Sequence, residues 1–395
     1  MTDSEQGASE CMNDSRTCTE SGAKLTHGCS GDVLDYAELI AWQPFPPYPL
    51  YLQDLPPAIQ PFPADTLGWL IEQYQTHPMS SFHECRYHTR QGRLGLMKRL
   101  QGQYGWFLLS EIGGPEFKRW HARWRGDGKV SIAHAFISQL RTVAGFGIAM
   151  LANRECERLA LVLSKLKFEQ GSPRTEILTA EMAEAHRAKA HEFGWEAMAM
   201  AQAFQFELML RQRDVLGEWV PFSEPGISDV VYPKLGKWGR GLRWEEIDDN
   251  MILRHITSKK QKKIEVDLRN APMVMAEFSI YCEGKPADQI TRADLPRTGP
   301  CILNEQTAFP FSANEFRRKW RIVANACGIP KTVRNQDSRA GAITEATEAG
   351  ADIEHVKHAA THSDISQTQR YSRGAANKIA GVQQKRLAHR FRTAG

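Results

Sequence analysis

The segment from residue 334 to residue 373 most constrains the fold, because helix start and stop signals divide it into three short helices. The first helix is predicted to begin near Arg339, with Asp337 or Ser338 as its N-cap, and to end at Gly350. An arginine at a helix start lies beside backbone N–H groups that also favour an anion. This position therefore predicts an anion-binding arginine.

The other two predicted helices of this segment bring in a histidine and a tyrosine. The second, DIEHVKHAA, has apolar residues at helical spacing and ends just before His362; the third, SQTQRYS, has Ser366 as its candidate cap and contains Tyr371. The intervals from Arg339 to His362 and from His362 to Tyr371 are 23 and 9 residues. A tyrosine hydroxyl, with a pKa of about 10, needs nearby cations or donors to act as a nucleophile. The spacing predicts a phosphoryl-transfer site.

A second arginine with a carboxylate partner lies upstream. Arg211 and Asp214 follow the apolar, helix-like run WEAMAMAQAFQFELML and are three residues apart, so they share a helical face. The carboxylate of Asp214 is expected to orient the guanidinium of Arg211. Two guanidinium groups suit a pentacoordinate phosphate, whose non-bridging oxygens carry extra negative charge.

A lysine-rich turn separates two predicted strands, Met251–Ile256 and Ile264–Leu268. The turn contains four lysines: Lys259, Lys260, Lys262 and Lys263. Lysines at a hairpin tip are usually only a solvated loop. One of them is nevertheless suited to protonate a departing oxygen.

Together these residues resemble the catalytic set of the tyrosine recombinases of the phage integrase family. The matching residues are the two catalytic arginines, the hairpin lysine, the histidine and the tyrosine nucleophile, which here are Arg211, Arg339, Lys259, His362 and Tyr371. Lys260 is the alternative to Lys259.

This chain departs from the family pattern at two places. Gln336 stands where the family motif H-x-x-R usually has its histidine, and the family's L-G-H is here Ala360-Thr361-His362. A glutamine amide hydrogen-bonds a phosphate oxygen but cannot shuttle a proton. The resemblance thus implies the family's reaction with altered acid and base chemistry.

The resemblance implies a site-specific, integrase-like DNA recombinase that cleaves and rejoins strands through a 3′-phosphotyrosyl intermediate, for integration or excision of a mobile element. It implies a homotetramer on paired sites of double-stranded DNA, with a possible DNA-bending protein and directionality factor, and no cofactor or metal. Two alternatives remain: a catalytically silent DNA-binding relative, suggested by Gln336, and an enzyme like a type IB topoisomerase.

The predicted fold is mainly α-helical, with a small antiparallel sheet in the catalytic domain, arranged as a two-domain DNA clamp. An acidic head and proline-rich arm cover residues 1–64, a helical core-type DNA-binding domain residues 65–170, and the catalytic domain residues 174–373. Residues 374–395 are predicted to form an amphipathic C-terminal helix, which could cover its own domain. The resemblance implies instead that this helix is exchanged between protomers.

Helix patterns fill the segment from residue 65 to residue 170, with basic residues interleaved among aromatic ones. The candidate DNA-contacting residues are Arg86, Arg90, Arg93, Lys98, Arg99, Lys118, Arg119 and Arg123. A helical bundle with an aromatic core and a solvated charged side explains the same pattern. The resemblance favours the DNA-binding interpretation.

Composition adds expectations about location. The chain has 395 residues, a net charge of +4 and 42% hydrophobic residues, without a run of the roughly 20 apolar residues that a membrane span needs. The absence of a leader pattern predicts a cytoplasmic protein. The eight dispersed cysteines indicate reduced thiols.

Overall fold

The computed structural model describes residues 25–26, 33–34, 61–369, 383–384, 386–387 and 389–391. Most of the predicted acidic head and proline-rich arm, Tyr371, and most of the predicted C-terminal helix lie outside these residues. Two short strands, β1 (Leu25–Thr26) and β2 (Val33–Leu34), pair antiparallel.

Five helices make up the first domain. They are α1 (Leu67–Thr76), α2 (Tyr87–Tyr104), α3 (Gly114–Arg125), α4 (Val130–Leu151) and α5 (Arg154–Lys165). The side chains of Thr66 and Asn153 accept backbone N–H groups at the starts of α1 and α5, as N-caps do. Aromatic rings fill the interior, where Tyr104 stacks on Trp120 and Trp124 stacks on Phe136.

In the residues that the structure describes, the second domain combines eight helices with two small antiparallel sheets. Its helices are α6 (Ala180–Glu192), α7 (Glu196–Glu207), α8 (Gln212–Leu216), α9 (Pro272–Tyr281), α10 (Ala313–Ala326), α11 (Asp337–Glu348), α12 (Ile353–Ala359) and α13 (Ile365–Gln369). Its strands are β3 (Glu218–Val220), β4 (Val231–Tyr232), β5 (Gly236–Gly239), β6 (Ile252–Ile256) and β7 (Lys263–Asp267). One sheet has the order β3-β5-β4, and the other is the β6–β7 hairpin. The predicted mainly α-helical fold with small antiparallel sheets is confirmed.

Each domain has its own apolar core. One cluster of buried residues extends from Leu67 to Leu163, and another from Leu178 to Ala342. Helix α7 is central to the second core, because all its residues from Met198 to Phe206 are buried. Over the parts of the chain that the structure describes, no helix has the length and apolar character needed to cross a membrane.

Three details of the predicted elements were wrong. Asp337 and Ser338 lie inside α11 and do not cap it, because the Asp337 carboxylate accepts from Arg174 and from the backbone N–H of Arg334. Ser366 lies inside α13, and its N–H donates to the side chain of Asp364. Lys263 belongs to β7, where it pairs with Ile256, and not to the turn.

The linker between the domains is fastened to the second one. Between the end of α5 and the start of α6, Arg174 donates to Asp337 Oδ2 over 2.6 Å. The N–H of Leu178 donates to the carbonyl of Asp337 over 3.2 Å. The linker therefore runs across the start of α11.

Candidate active site

Arg339 connects three separate parts of the second domain. It lies in the first turn of α11 and is buried, with 7% of its surface exposed. Its guanidinium donates to the carbonyl of Met209 over 2.7 Å and to the carbonyl of Ala360. Because these carbonyls lie two residues before Arg211 and His362, Arg339 brings both motifs together.

Arg211 immediately precedes α8 and has the carboxylate neighbour that the sequence predicts. Its Nη1 lies 3.8 Å from Oδ2 of the fully buried Asp214 and donates to Thr361 Oγ1 over 3.3 Å. The other carboxylate oxygen of Asp214 accepts the N–H of Ser258 over 2.7 Å. Asp214 thus joins Arg211 to the β6–β7 hairpin.

His362 is a buried and neutral histidine. Its surface is 4% exposed, and its Nδ1 lies 2.9 Å from the hydroxyl of Thr368. Burial, followed by the positive charges of Arg339, Arg211 and Lys262, lowers the pKa of His362 to about 4. The imidazole is therefore uncharged at neutral pH. Tyr371, three residues after Thr368 in the sequence, lies outside the described residues.

Two lysines of the hairpin turn reach the histidine segment. Lys262 Nζ donates to the carbonyl of His362 over 2.8 Å, and Lys260 Nζ donates to Ser363 Oγ over 2.7 Å. Lys259, the sequence-based candidate, is exposed at the tip of the turn. The structure thus brings Lys260 and Lys262 to His362, and the sequence interpretation had not singled out Lys262.

Gln336 lies at the edge of an open cleft. It is exposed, immediately precedes α11, and lines a cleft of about 580 Å³ together with Arg211, Arg339 and Gln205. A cleft with two guanidinium groups and an amide can hold the oxygens of a phosphodiester.

Two buried glutamines of α7 support this edge of the cleft. Gln205 Nε2 donates to the carbonyl of Asn335 over 3.0 Å, and Gln202 Nε2 donates to Ser338 Oγ over 2.9 Å. The sequence interpretation missed both. The sequence did contain a signal for them, because they are the two amide side chains in the mostly apolar run WEAMAMAQAFQFELML.

The family of this domain follows from the sequence around these residues. Residues 239–378 match the model of the phage integrase family. This part of the chain belongs to the phage integrase family. The matched range contains the hairpin lysines, Gln336, Arg339, His362 and Tyr371, whereas Arg211 precedes it.

Solved integrase structures share the fold beyond the integrase-family domain. A lambda integrase fragment, residues 75–356, in a dimer bound to a COC′ core site, matches with a TM-score of 0.57 and 14% identity, covering 78% of this chain and 97% of that one. The Tn1549 transposon integrase in complex with circular intermediate DNA matches with a TM-score of 0.55 and 14% identity, covering 81% and 99%. A lambda integrase tetramer bound to a Holliday junction matches with a TM-score of 0.55 and 13% identity, covering 78% of this chain and 77% of that one. No curated protein sequence matches this chain. These similarities confirm the two-domain fold.

Four of the arginines predicted to contact DNA have protein partners. Arg86 donates to the carbonyl of Ser258, and Arg90 pairs with Glu224; both partners belong to the second domain. Arg93 donates to the hydroxyl of Tyr74, and the guanidinium of Arg99 lies 4.7 Å from the ring centroid of Phe136. These groups therefore do not form a simple solvated face.

The other four predicted DNA-contacting residues lie exposed on α2 and α3, outside the integrase-family domain. They are Lys98, Lys118, Arg119 and Arg123. Lys118 donates to the carbonyl of Lys167 over 3.0 Å, and Arg119 pairs with Glu116 one turn earlier. Exposed positive groups on neighbouring helices are suited to phosphate contacts.

Proposed function

We propose that the protein is a site-specific DNA recombinase that cleaves and rejoins strands through a 3′-phosphotyrosyl intermediate. One observation carries this proposal: the buried guanidinium of Arg339 binds the carbonyls just before Arg211 and His362, and so assembles motifs that are far apart in sequence. Burying a charged guanidinium costs free energy, which the hydrogen bonds of Arg339 to the two carbonyls help to offset.

In the proposed step, the hydroxyl oxygen of Tyr371 attacks a DNA phosphodiester. The bond between phosphorus and the 5′ oxygen breaks, the phenolic proton passes to water, and a lysine ammonium protonates the departing 5′ oxygen. Arg211, Arg339 and Gln336 hold the non-bridging oxygens. Attack by a 5′ hydroxyl of another strand reverses the step and joins new partners.

We assign the proton donor to Lys262. A general acid must be within hydrogen-bond reach of the site at which it acts. Lys262 Nζ lies 2.8 Å from the carbonyl of His362, whereas Lys259 is exposed at the tip of the turn. Lys260 points to the same segment through Ser363 and is the second candidate.

The proposed partner is double-stranded DNA, held between a helical domain at residues 65–170 and a catalytic domain at residues 174–373. The DNA-bound integrases of similar fold support this partner, and the lambda tetramer on a Holliday junction supports a homotetramer on paired sites. We further propose a cytoplasmic enzyme of a mobile element that works with a DNA-bending protein and a directionality factor. Exchange of a C-terminal helix at residues 374–395 between protomers would couple the active sites.

Trapping of covalent DNA adducts tests the proposed chemistry. Wild type, Tyr371→Phe and Tyr281→Phe are expressed in bacteria, lysates are denatured, and protein-linked DNA is recovered and sequenced. Tyr281 is a matched control because it lies in the second domain and is 48% exposed. We expect adducts at a defined sequence from wild type and Tyr281→Phe, and none from Tyr371→Phe.

Two results would contradict the proposal. Adducts from Tyr371→Phe would assign the nucleophile to another residue. If wild type traps no DNA, while native pull-down recovers specific sites, the protein is a silent DNA-binding relative. The presence of Gln336 in place of the family's histidine then becomes the leading explanation for the lack of cleavage.

A further inference from the structure

Helix α2 of the first domain contacts the second domain through its first turns. Arg86 immediately precedes α2, and its guanidinium donates to the carbonyl of Ser258. His88 Nε2 lies 3.4 Å from Glu218 Oε2, and Arg90 pairs with Glu224. Arg86 is the member of this group that contacts the β6–β7 turn.

The backbone N–H and the backbone carbonyl of Ser258 both form hydrogen bonds with residues outside the hairpin. It is buried, with 2% of its surface exposed, and its N–H donates to Asp214 Oδ1 over 2.7 Å, while its carbonyl accepts from Arg86. Asp214 also neighbours Arg211. The start of the turn is therefore fixed between a catalytic-site carboxylate and an arginine of the other domain.

The position of Ser258 determines that of Lys262. The neighbouring Thr257 accepts the N–H of Lys262 on its Oγ1 over 3.2 Å, and its own N–H donates to the carbonyl of Lys262 over 2.8 Å. These bonds close the turn, and Lys262 then reaches the carbonyl of His362. A turn whose own hydrogen bonds are few depends for its local stability on such outside contacts, here those of Asp214 and Arg86 with Ser258.

We propose that Arg86 is a positioning residue for Lys262, supplied to the active site by the helical domain. This inference rests on the recombinase function and on the role of Lys262 proposed above. A charge-assisted hydrogen bond to a buried carbonyl is stronger than one between neutral groups, so Arg86 keeps the turn closed. Without it, the turn opens more often and the ammonium of Lys262 spends less time within reach of the departing oxygen.

Hydrogen exchange of the turn tests the positioning without DNA. The variants are Arg86→Ala and, as a matched control, Arg90→Ala, which removes an arginine that contacts the second domain at Glu224. We expect the amides of residues 257–262 to exchange roughly 10-fold faster in Arg86→Ala and at the wild-type rate in Arg90→Ala. Equal exchange in wild type and Arg86→Ala overturns the proposal.

Cleavage of two DNA substrates tests the consequence for proton transfer. Both contain the site recovered with the wild-type adduct; one has the normal 5′ oxygen at the cleaved bond and the other a bridging sulfur. Sulfur leaves as a thiolate without protonation, because a thiol has a pKa of about 8.5, far below that of an alcohol. We expect Arg86→Ala to cleave the oxygen substrate roughly 10- to 100-fold more slowly and the sulfur substrate within about 3-fold of wild type.

The outcomes separate this inference from the proposed function. Lys262→Ala is expected to show the same rescue by sulfur, and Arg90→Ala to cleave both substrates like wild type. Equal losses of Arg86→Ala on both substrates, or the same defect in Arg90→Ala, overturn the positioning role while leaving the recombinase function intact. A wild type that cleaves neither substrate overturns the function itself, and with it this role.

Discussion

Thr361 has a backbone conformation that β-branched residues rarely adopt. Its φ of +54° lies in the left-handed region, which glycine enters at little cost. It occupies the position of the glycine in the family's L-G-H pattern, and its hydroxyl accepts from Arg211. The threonine thus combines backbone strain with a hydrogen bond to Arg211, one of the two proposed catalytic arginines.

Replacing Thr361 separates these two contributions. We expect Thr361→Gly to raise the free energy of unfolding by about 1 kcal/mol, because it removes a left-handed conformation of a β-branched residue. Thr361→Val, which keeps the strain and loses the hydroxyl, is expected to be no more stable than wild type. Urea denaturation measures both, and a destabilised Thr361→Gly would show that the hydroxyl outweighs the strain.

Replacing Gln336 with the family's usual histidine should change how the cleavage rate depends on pH. His362 has a folded pKa of about 4, below its ordinary value, so it stays neutral between pH 5.5 and 8 and adds no titration there. An introduced imidazole is charged below its own pKa, near or under about 6.5. The charged imidazole binds phosphate more strongly than the neutral one does. The ratio of Gln336→His to wild-type cleavage rates should therefore increase as pH falls.

Single-turnover cleavage between pH 5.5 and 8 measures this ratio. Gln336→Ala is the control: it loses one phosphate donor and should cleave about 100-fold more slowly at every pH. A ratio for Gln336→His that stays constant with pH would show that the introduced side chain does not reach the phosphate.

Among the elements, the β6–β7 hairpin was predictable from sequence except for its lysines. Alternating side chains located the strands to within a residue, because that pattern is local. Which lysine faces the site depends on how the turn closes. That is set by Thr257, which immediately precedes the turn, and by Asp214, which lies 44 residues before Ser258 in the chain. The sequence therefore indicated a lysine but not Lys262.

Substitution of the turn lysines distinguishes them. We expect Lys262→Ala to slow cleavage 10²- to 10⁴-fold, as loss of a general acid does, and Lys259→Ala to slow it less than about 3-fold. Quenched-flow measurement on the recovered site gives both rates. A large defect in Lys259→Ala alone would return the role to the residue that the sequence resemblance suggested.

The helix starts show where prediction from neighbouring residues succeeds and where it fails. The apolar residues at helical spacing in DIEHVKHAA correctly predicted the second short helix, and Asp352 within the same segment caps it. Asp337 failed as a predicted cap because its carboxylate binds Arg174, which is 163 residues earlier in the chain. Likewise, nothing local to Arg339 indicated that it binds the carbonyls of Met209 and Ala360.

At the scale of the whole molecule, the basic residues of the first domain divide into two groups. Their sequence predicted one DNA-binding face, but the fold places Arg86 and Arg90 against the second domain and leaves Lys98 and Arg123 exposed. Domain contacts of this kind depend on tertiary packing, so composition could indicate a basic domain without assigning its individual charges.

The salt dependence of DNA binding tests this division. Each phosphate contact contributes about −0.9 to the slope of log affinity against log salt. On a random-sequence duplex, Arg123→Ala should make that slope shallower by about one, whereas Arg90→Ala should leave it unchanged. Fluorescence anisotropy between 50 and 300 mM salt measures the slopes; identical slopes for Arg123→Ala and wild type would remove Arg123 from the DNA interface.

The interdomain linker is bound directly to the first turn of α11. A side chain at Gly341 would place its Cβ 1.7 Å from the carbonyl oxygen of Leu178, so only glycine lets the linker lie this close to α11. Arg174 and Leu178 both bind Asp337, two residues before Arg339. If the protein closes on a duplex as proposed, tension on the linker would therefore act on the first turn of the helix that carries Arg339.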